Sequence, residues 1–207
     1  MKSYSQNRED LFVLNYFKGF KGTLLEIGAN DGRTLSNSLL LIENGWNAHL
    51  VEPGSINTAL TQLHLENHGV EVHTIAIGKE NGRAVLHESA EHMPNGSDWG
   101  LVSSLIPEET ERWRKNGVGF IDNEVDVWDF ETFYNYVGQP IFEFISIDVE
   151  GLDWDVLQQI NLTDVGCRAL CIEWNSIPAL KAQFANYCDL HGLKLAHVNA
   201  ENLIFCR

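Results

Sequence analysis

A turn rich in small residues follows the first apolar run of the chain. Residues 24–27 are mostly apolar and lead into residues 28–32, Gly-Ala-Asn-Asp-Gly, before a segment of helical spacing. In an open α/β sheet such a strand-to-helix turn usually meets a nucleotide, because glycine lets the backbone approach a ligand closely. A pyrophosphate-binding turn has glycines at its first, third and sixth positions, whereas this turn has Gly28, Asn30 and Arg33 there. The spacing therefore disfavours NAD and FAD.

Carboxylates surround this turn. Glu26 and Asp31 flank it, and Glu52, followed by Pro53, ends the second apolar run. A carboxylate accepts hydrogen bonds from hydroxyl and amino groups but repels phosphate, and an acid after the second strand can bind both ribose hydroxyls. These residues predict a nucleoside ligand without phosphates, and S-adenosylmethionine fits that description. The alternative is that Gly28 and Gly32 only form a turn and that Glu52 is a surface acid.

Two further acids, Asp148 and Glu150, follow the apolar run 141–147. Because parallel strands of one sheet end at the same edge, these acids are expected beside Glu26 and Glu52. Alternation along an extended strand end would aim both side chains to one side, with Asp148 serving the cofactor and Glu150 the substrate. The alternative is that an acid such as Asp153 caps the next helix and that Glu150 is a solvated turn residue.

Oxygen ligands for a metal ion also follow the next apolar run. Glu173 and Asn175, together with Asp148, offer the carboxylate and amide oxygens that Mg²⁺ prefers. Polar strand ends produce the same pattern without a metal, and this is the favoured interpretation. No residue is therefore assigned as a metal ligand.

Apolar runs of strand length alternate with segments of helical spacing, which predicts an α/β fold with a parallel sheet covered on both faces. A helix is expected after Glu9 and Asp10. The remaining predictions are strands at 23–27, 48–51, 70–77, 141–147 and 169–174, helices at 36–44, 55–67, 154–160 and 178–191, and a hairpin at 193–198 and 202–206.

The alternation of predicted strands and helices is interrupted after residue 78. Asn81-Gly82 predicts a turn into an antiparallel strand, and residues 89–120 are irregular apart from a short helix near 108–115. An irregular segment this long is typical of a substrate lid or binding loop. Its aromatic residues, Trp99, Trp113 and Phe120, can form a platform for a sugar ring or can pack beneath the loop.

Composition narrows the class of protein. The 207 residues carry a formal net charge of −15, with 44% hydrophobic and 21% charged residues, which predicts one globular domain spanning residues 1–207. The surplus negative charge would repel a phosphate backbone, so nucleic acid is not expected as a partner. The chain has no apolar stretch of membrane-spanning length, and a cytoplasmic location without membrane contact is predicted. The sequence sets no oligomeric state.

With these residues in place, the chain resembles the FkbM-type family of S-adenosylmethionine-dependent class I methyltransferases. The motifs that carry the resemblance are Glu-Ile-Gly-Ala-Asn-Asp-Gly at 26–32, Val-Glu-Pro at 51–53 and Asp-Val-Glu-Gly at 148–151. Shorter matches lie at 4–6, 9–10, 36–37, 45–46, 75–78 and 103–105.

The resemblance implies a seven-stranded, mostly parallel sheet whose last strand is antiparallel. It also implies methylation of a hydroxyl group on a sugar, glycan or small metabolite. The residues that would contact the cofactor are, for the methionine and ribose portion, Glu26, Gly28, Asn30, Asp31, Gly32 and Asn37; for the ribose, Glu52 with Pro53; for the adenine edge, Ala76 and Ile77; and beside the sulfonium, Asp148.

Methyl transfer to an alcohol requires alignment of the acceptor and removal of its proton. Glu150 is the candidate general base. Two other functions remain as alternatives: a module that binds a nucleoside without catalysis, and a nicotinamide-dependent oxidoreductase, which the missing glycines after Gly28 disfavour.

Overall fold

Within the residues that the computed structural model describes, 2–90 and 99–207, seven strands form the main sheet. The sheet has the order β3-β2-β1-β7-β8-β10-β9, and β10 runs antiparallel to both of its neighbours. Its strands are β1 (Thr23–Ile27), β2 (Asn47–Val51), β3 (Val70–His73), β7 (Phe144–Ile147), β8 (Ala169–Glu173), β9 (Lys194–Val198) and β10 (Asn202–Cys206). The predicted α/β fold, with its antiparallel last strand, is confirmed.

A smaller sheet of three strands stands beside the main sheet and has the order β4-β6-β5. Its strands are β4 (Ala76–Ile77), β5 (Gly82–Ser89) and β6 (Phe120–Trp128). The single strand predicted at 70–77 was therefore wrong: the chain leaves the main sheet after His73, and Ala76 and Ile77 pair with Val127 and Trp128. This pairing partner lies about fifty residues further along the chain, so a local pattern does not show it.

Seven helices within the described ranges connect these strands: α1 (Glu9–Phe17), α2 (Leu39–Glu43), α3 (Asn57–Glu66), α4 (Pro107–Arg114), α5 (Phe130–Tyr136), α6 (Asp153–Leu157) and α7 (Pro178–Leu190). Two predicted helix starts were wrong. The helix expected from residue 36 begins at Leu39, because the Asn37 N–H donates to the Glu26 carboxylate instead. Ser55 does not cap α3: Ile56 occupies the N-cap position without a side-chain cap, and the Ser55 hydroxyl donates to Glu88 Oε1.

The main sheet is buried on both faces. Leu25, Ile27 and Ile145 belong to the apolar cluster under α5, α6 and α7, whereas Leu24 and Phe144 belong to the cluster under α1, α2 and α3. Successive side chains of a strand point to opposite faces, so a parallel strand covered on both sides is apolar throughout. This packing fixes the strands firmly and leaves their carboxyl ends to form a shared edge.

Two segments bear on the remaining predictions. Residues 91–98 of the predicted lid lie outside the described residues, whereas 99–120 form a turn, α4 and the approach to β6. In the described part of the chain, none of the helices combines the length and the apolarity needed to cross a bilayer.

Candidate active site

A cavity of about 500 Å³ lies at the carboxyl ends of the central strands of the main sheet. Its wall contains ten of the twelve residues predicted for the site: Glu26, Gly28, Asn30, Asn37, Glu52, Pro53, Ala76, Ile77, Asp148 and Glu150. The structure thus brings together acids from three separate strand ends, as the strand order predicts. Binding of a cofactor by these residues stays a prediction.

Gly28 is required by the contact between two strands. Its φ is +87°, and a Cβ atom there would lie 1.7 Å from the carbonyl oxygen of Asp148. The N–H groups of Gly28 and Ala29 both donate to the Val51 carbonyl oxygen, at 3.0 and 3.1 Å. Glycine therefore lets the ends of β1 and β7 touch, whereas the sequence argument had assigned it to the approach of a ligand. The Gly28 turn is therefore held between the ends of β2 and β7.

Asp31 and Gly32 are the two predicted site residues that the structure places behind the turn, outside the cavity wall. Asp31 Oδ1 accepts the N–H groups of Arg33 and Thr34, at 2.7 and 2.6 Å. Gly32 has a φ of +69°, and a Cβ atom there would lie 2.6 Å from Leu60 Cδ2 of α3. Both residues therefore shape the turn from behind.

Glu52 is held in position by backbone donors. Its Oε2 accepts the Asn30 N–H at 2.9 Å, and its Oε1 accepts the Gly54 N–H at 2.6 Å. The side chain is buried, and this burial raises the pKa of Glu52 to about 7 against the effect of the two hydrogen bonds. Each carboxylate oxygen has a second lone pair, so Glu52 can still accept hydrogen bonds from two ligand hydroxyls.

Sequence reasoning missed Glu88 of β5, which supports the loop that follows Glu52. Glu88 is 1% exposed, and it accepts hydrogen bonds from the Ser55 N–H at 3.0 Å and from Asn123 Nδ2 at 2.7 Å. Trp99 Nε1 also donates to Glu88, at 3.0 Å. The available signal was that Glu88 shares the inward face of β5 with the buried Leu86.

Glu26 and Asn37 form the wall between β1 and β7. Glu26 Oε1 accepts the Asn37 N–H at 3.2 Å, and the Ser38 hydroxyl donates to Glu26 Oε2. Burial raises the pKa of Glu26 to about 7. Asn37 Nδ2 donates to Ser146 Oγ at 3.1 Å, and its buried Oδ1 has no hydrogen-bond partner among the described residues. An acceptor of this kind at a cavity wall fits an amino group of a ligand.

Three carboxylates converge where β7 and β8 end. Oxygen atoms of Asp148, Glu150 and Glu173 all lie within 4.8 Å of one another. Burial and the charge of Glu26 raise the pKa of Asp148 to about 6. The pKa values of Glu150 and Glu173 are raised well above the usual range by burial and by the charge of Asp148.

The turn that carries Glu150 is built by Asp153. The N–H groups of Val149 and Gly151 donate to the Asp153 carboxylate at 3.1 and 3.2 Å, and the Ser104 hydroxyl donates to the Glu150 carbonyl at 2.6 Å. Glu150 has a φ of +49°, so the extended geometry assumed from the sequence ends before it. Its side chain is only 13% exposed, which excludes the alternative of a solvated turn acid.

The described part of the predicted lid supplies Arg112 and Trp113 to the cavity wall. Arg112 Nη2 lies 3.7 Å from Glu150 Oε2. The three aromatic residues of the expected platform separate: Trp113 faces the cavity, Trp99 donates to Glu88, and Phe120 begins β6 under the guanidinium of Arg114, 4.7 Å from its ring centre. Within these residues, Trp113 alone occupies the place expected of a platform.

The opposite part of the wall is apolar. Ile75, Ala76 and Ile77 are 7%, 5% and 2% exposed, and they line the cavity with Pro53. This surface is apolar enough for an aromatic base, whereas Asp148, Glu150 and Glu173 converge where β7 and β8 end. The cavity therefore has one apolar end and one strongly acidic end.

Solved methyltransferase structures share this fold. The METTL16 MTase domain aligns with a TM-score of 0.52 at 11% identity, covering 96% of this chain and 66% of that chain. PH1948 of Pyrococcus horikoshii, a proposed RNA methyltransferase, gives 0.51 at 9% identity, covering 100% and 92%. Precorrin-6y C5,15-methyltransferase of Geobacter metallireducens GS-15 gives 0.48 at 8%, covering 100% and 92%. The first two show a Rossmann-like class I methyltransferase fold.

The family is shown by sequence. The model of the methyltransferase FkbM domain matches residues 26–191, which is most of the chain. The chain therefore belongs to the FkbM methyltransferase family, as the motifs predicted. A comparison with curated protein sequences gives no match. Family and fold together support a methyltransferase that uses S-adenosylmethionine.

Proposed function

We propose that this protein transfers a methyl group from S-adenosylmethionine to a hydroxyl group of a sugar, glycan or small metabolite. The observation that carries the proposal is the fixed position of Glu52 at the cavity wall, where two backbone N–H groups hold its carboxylate. A carboxylate held this way suits ribose hydroxyls and disfavours phosphate. The acidic cavity and the net charge of −15 likewise favour a small acceptor over nucleic acid.

In this proposal, residues of the cavity wall bind each part of the cofactor. Glu52 would bind the ribose hydroxyls, Ala76 and Ile77 the adenine ring, and Asn37 Oδ1 the amino group. Asp148, whose backbone carbonyl lies close to Gly28, would lie beside the sulfur. When bound, S-adenosylmethionine supplies a methyl group activated by the positive charge on sulfur. The protein's own task is to align the acceptor oxygen and to exclude water.

Glu150 is the proposed general base. Burial and the charge of Asp148 raise the pKa of Glu150, which favours its protonated form in the empty cavity. A positive charge bound beside Asp148 acts in the opposite direction and favours the carboxylate. As the new C–O bond forms, the hydroxyl proton passes to Glu150. Glu150 therefore becomes an effective base only after the cofactor has bound. Methyl transfer is then limited to the complex that contains both cofactor and acceptor.

Transfer of labelled methyl from S-adenosylmethionine to a panel of sugars and hydroxylated metabolites tests this proposal. We expect Glu150→Gln to lower kcat by about 10² to 10⁴, the usual contribution of a general base, with little change in cofactor affinity. Glu111→Gln, which removes an exposed acid of α4, is the matched control. Full turnover by Glu150→Gln would exclude Glu150 as the base. Cofactor binding without transfer to any acceptor would favour the non-catalytic module.

The remaining proposals concern the surroundings of the protein. We propose a cytoplasmic protein whose residues 1–207 act as one domain and whose partner is the small acceptor. Mg²⁺ binding at Asp148 and Glu173 is a separate question. If Mg²⁺ takes part in the reaction, a chelator should abolish methyl transfer. The base mechanism at Glu150 does not require a metal.

A further inference from the structure

Two buried oxygen atoms at the acidic end of the cavity accept no hydrogen bond from any residue that the structure describes. They are Glu173 Oε2 and Asn202 Oδ1, on side chains that are 8% and 5% exposed. Both residues line the cavity. Buried acceptors without a partner are rare in folded proteins, because a buried polar atom that makes no hydrogen bond destabilises the fold. This pair therefore points to a donor that arrives with a ligand.

The two residues are neighbours across the sheet. Glu173 of β8 pairs in register with Asn202 of the antiparallel β10, and residues paired in this way carry their side chains side by side on one face. The orientation of the Asn202 amide is fixed, because its Nδ2 donates to Glu9 Oε1 at 2.9 Å. Its Oδ1 is therefore an acceptor, adjacent to the acceptor of Glu173.

Charge selects the kind of donor. Of the charged side chains that line the cavity in the described part of the chain, six are carboxylates and one is a guanidinium, Arg112. Arg112 reaches Glu150 at 3.7 Å. A neutral hydroxyl would fill the hydrogen bonds of Glu173 and Asn202 but would not favour the ionised form of these acids, whereas a protonated amine provides several donors and a positive charge that does so.

The strand order places this pair beyond Asp148, on the side away from the proposed ribose acceptor Glu52. The ribose acceptor Glu52 follows β2, the Gly28 turn follows β1, and Asp148 follows β7, whereas Glu173 and Asn202 lie on the next two strands, β8 and β10. Each strand adds about 4.8 Å. The cationic group that fits Glu173 and Asn202 thus belongs to the methyl acceptor.

We propose, resting on the proposed methyltransferase function, that the acceptor is an amino alcohol or amino sugar whose protonated amine binds Glu173 and Asn202 while the neighbouring hydroxyl faces Glu150. Oxygens of Glu150 and Glu173 lie within 4.8 Å of each other, a separation that groups on adjacent carbons can bridge.

The chemistry then selects oxygen over nitrogen. The bond between sulfur and methyl breaks, a bond between the hydroxyl oxygen and methyl forms, and the hydroxyl proton passes to Glu150. The amine has no free lone pair while it is held as an ammonium group, so it is protected from methylation. The acidic pair thus acts as a specificity determinant for the same reaction.

Two successive calorimetric titrations test the inference at pH 7. S-adenosylhomocysteine is titrated first; absence of binding would reject the proposed function itself. The protein saturated with S-adenosylhomocysteine is then titrated with methyl glucosaminide, with methyl glucoside and with the N-acetylated glucosaminide, which differ at the amine. We expect the amine to bind at least 10-fold more tightly than either neutral compound. Equal binding of the three, including none, would overturn the inference, and this comparison needs no variant.

Variants locate the effect. Glu173→Gln should abolish the 10-fold preference, whereas Glu201→Gln, which removes an acid of the same wall that Asn7 already occupies at 2.8 Å, should retain it. A preference that survives Glu173→Gln contradicts the assignment. So does stoichiometric binding of Mn²⁺ that Glu173→Gln abolishes and that the amine cannot displace, since the cation would then be a metal.

Discussion

The acids at the two ends of the cavity differ in their hydrogen-bond partners. At the cofactor end, Glu26 and Glu52 each accept two hydrogen bonds from groups of the turns beside them. At the acceptor end, Glu150 and Glu173 face each other and Asp148 within 4.8 Å, and Glu173 Oε2 has no partner within the described ranges. The acids of the first end thus have hydrogen-bond partners without a ligand, whereas Glu173 at the second end has none for its Oε2 in the described part of the chain.

This difference indicates that the two ends of the cavity have different roles. Backbone donors fix Glu52 at one place and leave it free lone pairs, which suits recognition of a rigid ribose. Converging acids with raised pKa values are unfavourable in the empty protein and become favourable when a cation enters. We therefore expect changes at the cofactor end to act on the architecture and changes at the acceptor end to act on ligand selection.

The largest effect is expected at the turn on which the cofactor end depends. Gly28→Ala would place a Cβ atom 1.7 Å from the Asp148 carbonyl oxygen, and backbone atoms cannot move aside as a side chain can. We expect loss of measurable S-adenosylhomocysteine binding by calorimetry, with a large fall in Tm. Gly32→Ala is the matched control, because its Cβ would meet a side-chain methyl group of Leu60, at 2.6 Å, and no backbone atom. Equal effects of the two substitutions would contradict this account of the turn.

A smaller effect is expected in the pH dependence of stability without ligand. Burial raises the pKa of Glu26, Glu52 and Asp153 to about 7, whereas unfolded carboxyl groups titrate near pH 4. Between these values the folded state binds more protons than the unfolded state, so the free energy of unfolding falls as pH rises. His73, whose pKa burial lowers to about 4, opposes this trend below pH 6.5.

Because three carboxyl groups outweigh one imidazole, the decline should be steepest between about pH 5 and 7 and should level off above pH 7, on the order of a few kcal/mol in all. Thermal unfolding of the protein at a series of pH values measures it. Saturating S-adenosylhomocysteine should make the decline shallower, because hydroxyl groups bound to Glu52 favour its ionised form. Stability that rises through this range would show that these three acids are not buried as described.

The smallest effect separates the two ends directly. Glu52→Gln replaces an acceptor oxygen with an NH₂ group facing an N–H donor, so we expect a loss of about 1–3 kcal/mol in the free energy of unfolding. Glu173→Gln removes a buried acid whose pKa is raised, so at pH 8 it should stabilise the empty protein slightly. Chemical denaturation of both variants measures the contrast. Destabilisation of similar size in both would remove the distinction between the ends.

Local sequence was sufficient to predict that the Gly28 turn and Glu52 line one cavity. The Gly28 turn and Glu52 follow apolar runs that end in recognisable turns, and the strand order that joins them is a general property of α/β sheets. The antiparallel last strand came from the family resemblance.

Other features depend on pairing between distant segments. Glu88 reaches the site because β5 pairs with β6, residues 82–89 against 120–128. The pair of Glu173 and Asn202 exists because β10 inserts beside β8. The short β4 left the main sheet for the same reason, since its partner strand lies far along the chain. Local periodicity carries no information on such contacts.

Binding of S-adenosylhomocysteine to the wild-type protein and to Glu52→Ala, followed by calorimetry, tests the central claim most directly. A hydrogen bond to a charged group contributes about 1.5–3 kcal/mol, and two ribose hydroxyls would therefore make Glu52→Ala weaker by about 100-fold or more. NADH should bind neither protein. Unchanged affinity in Glu52→Ala, or binding of NADH in place of S-adenosylhomocysteine, would contradict the assignment of this cavity to an unphosphorylated adenosine cofactor.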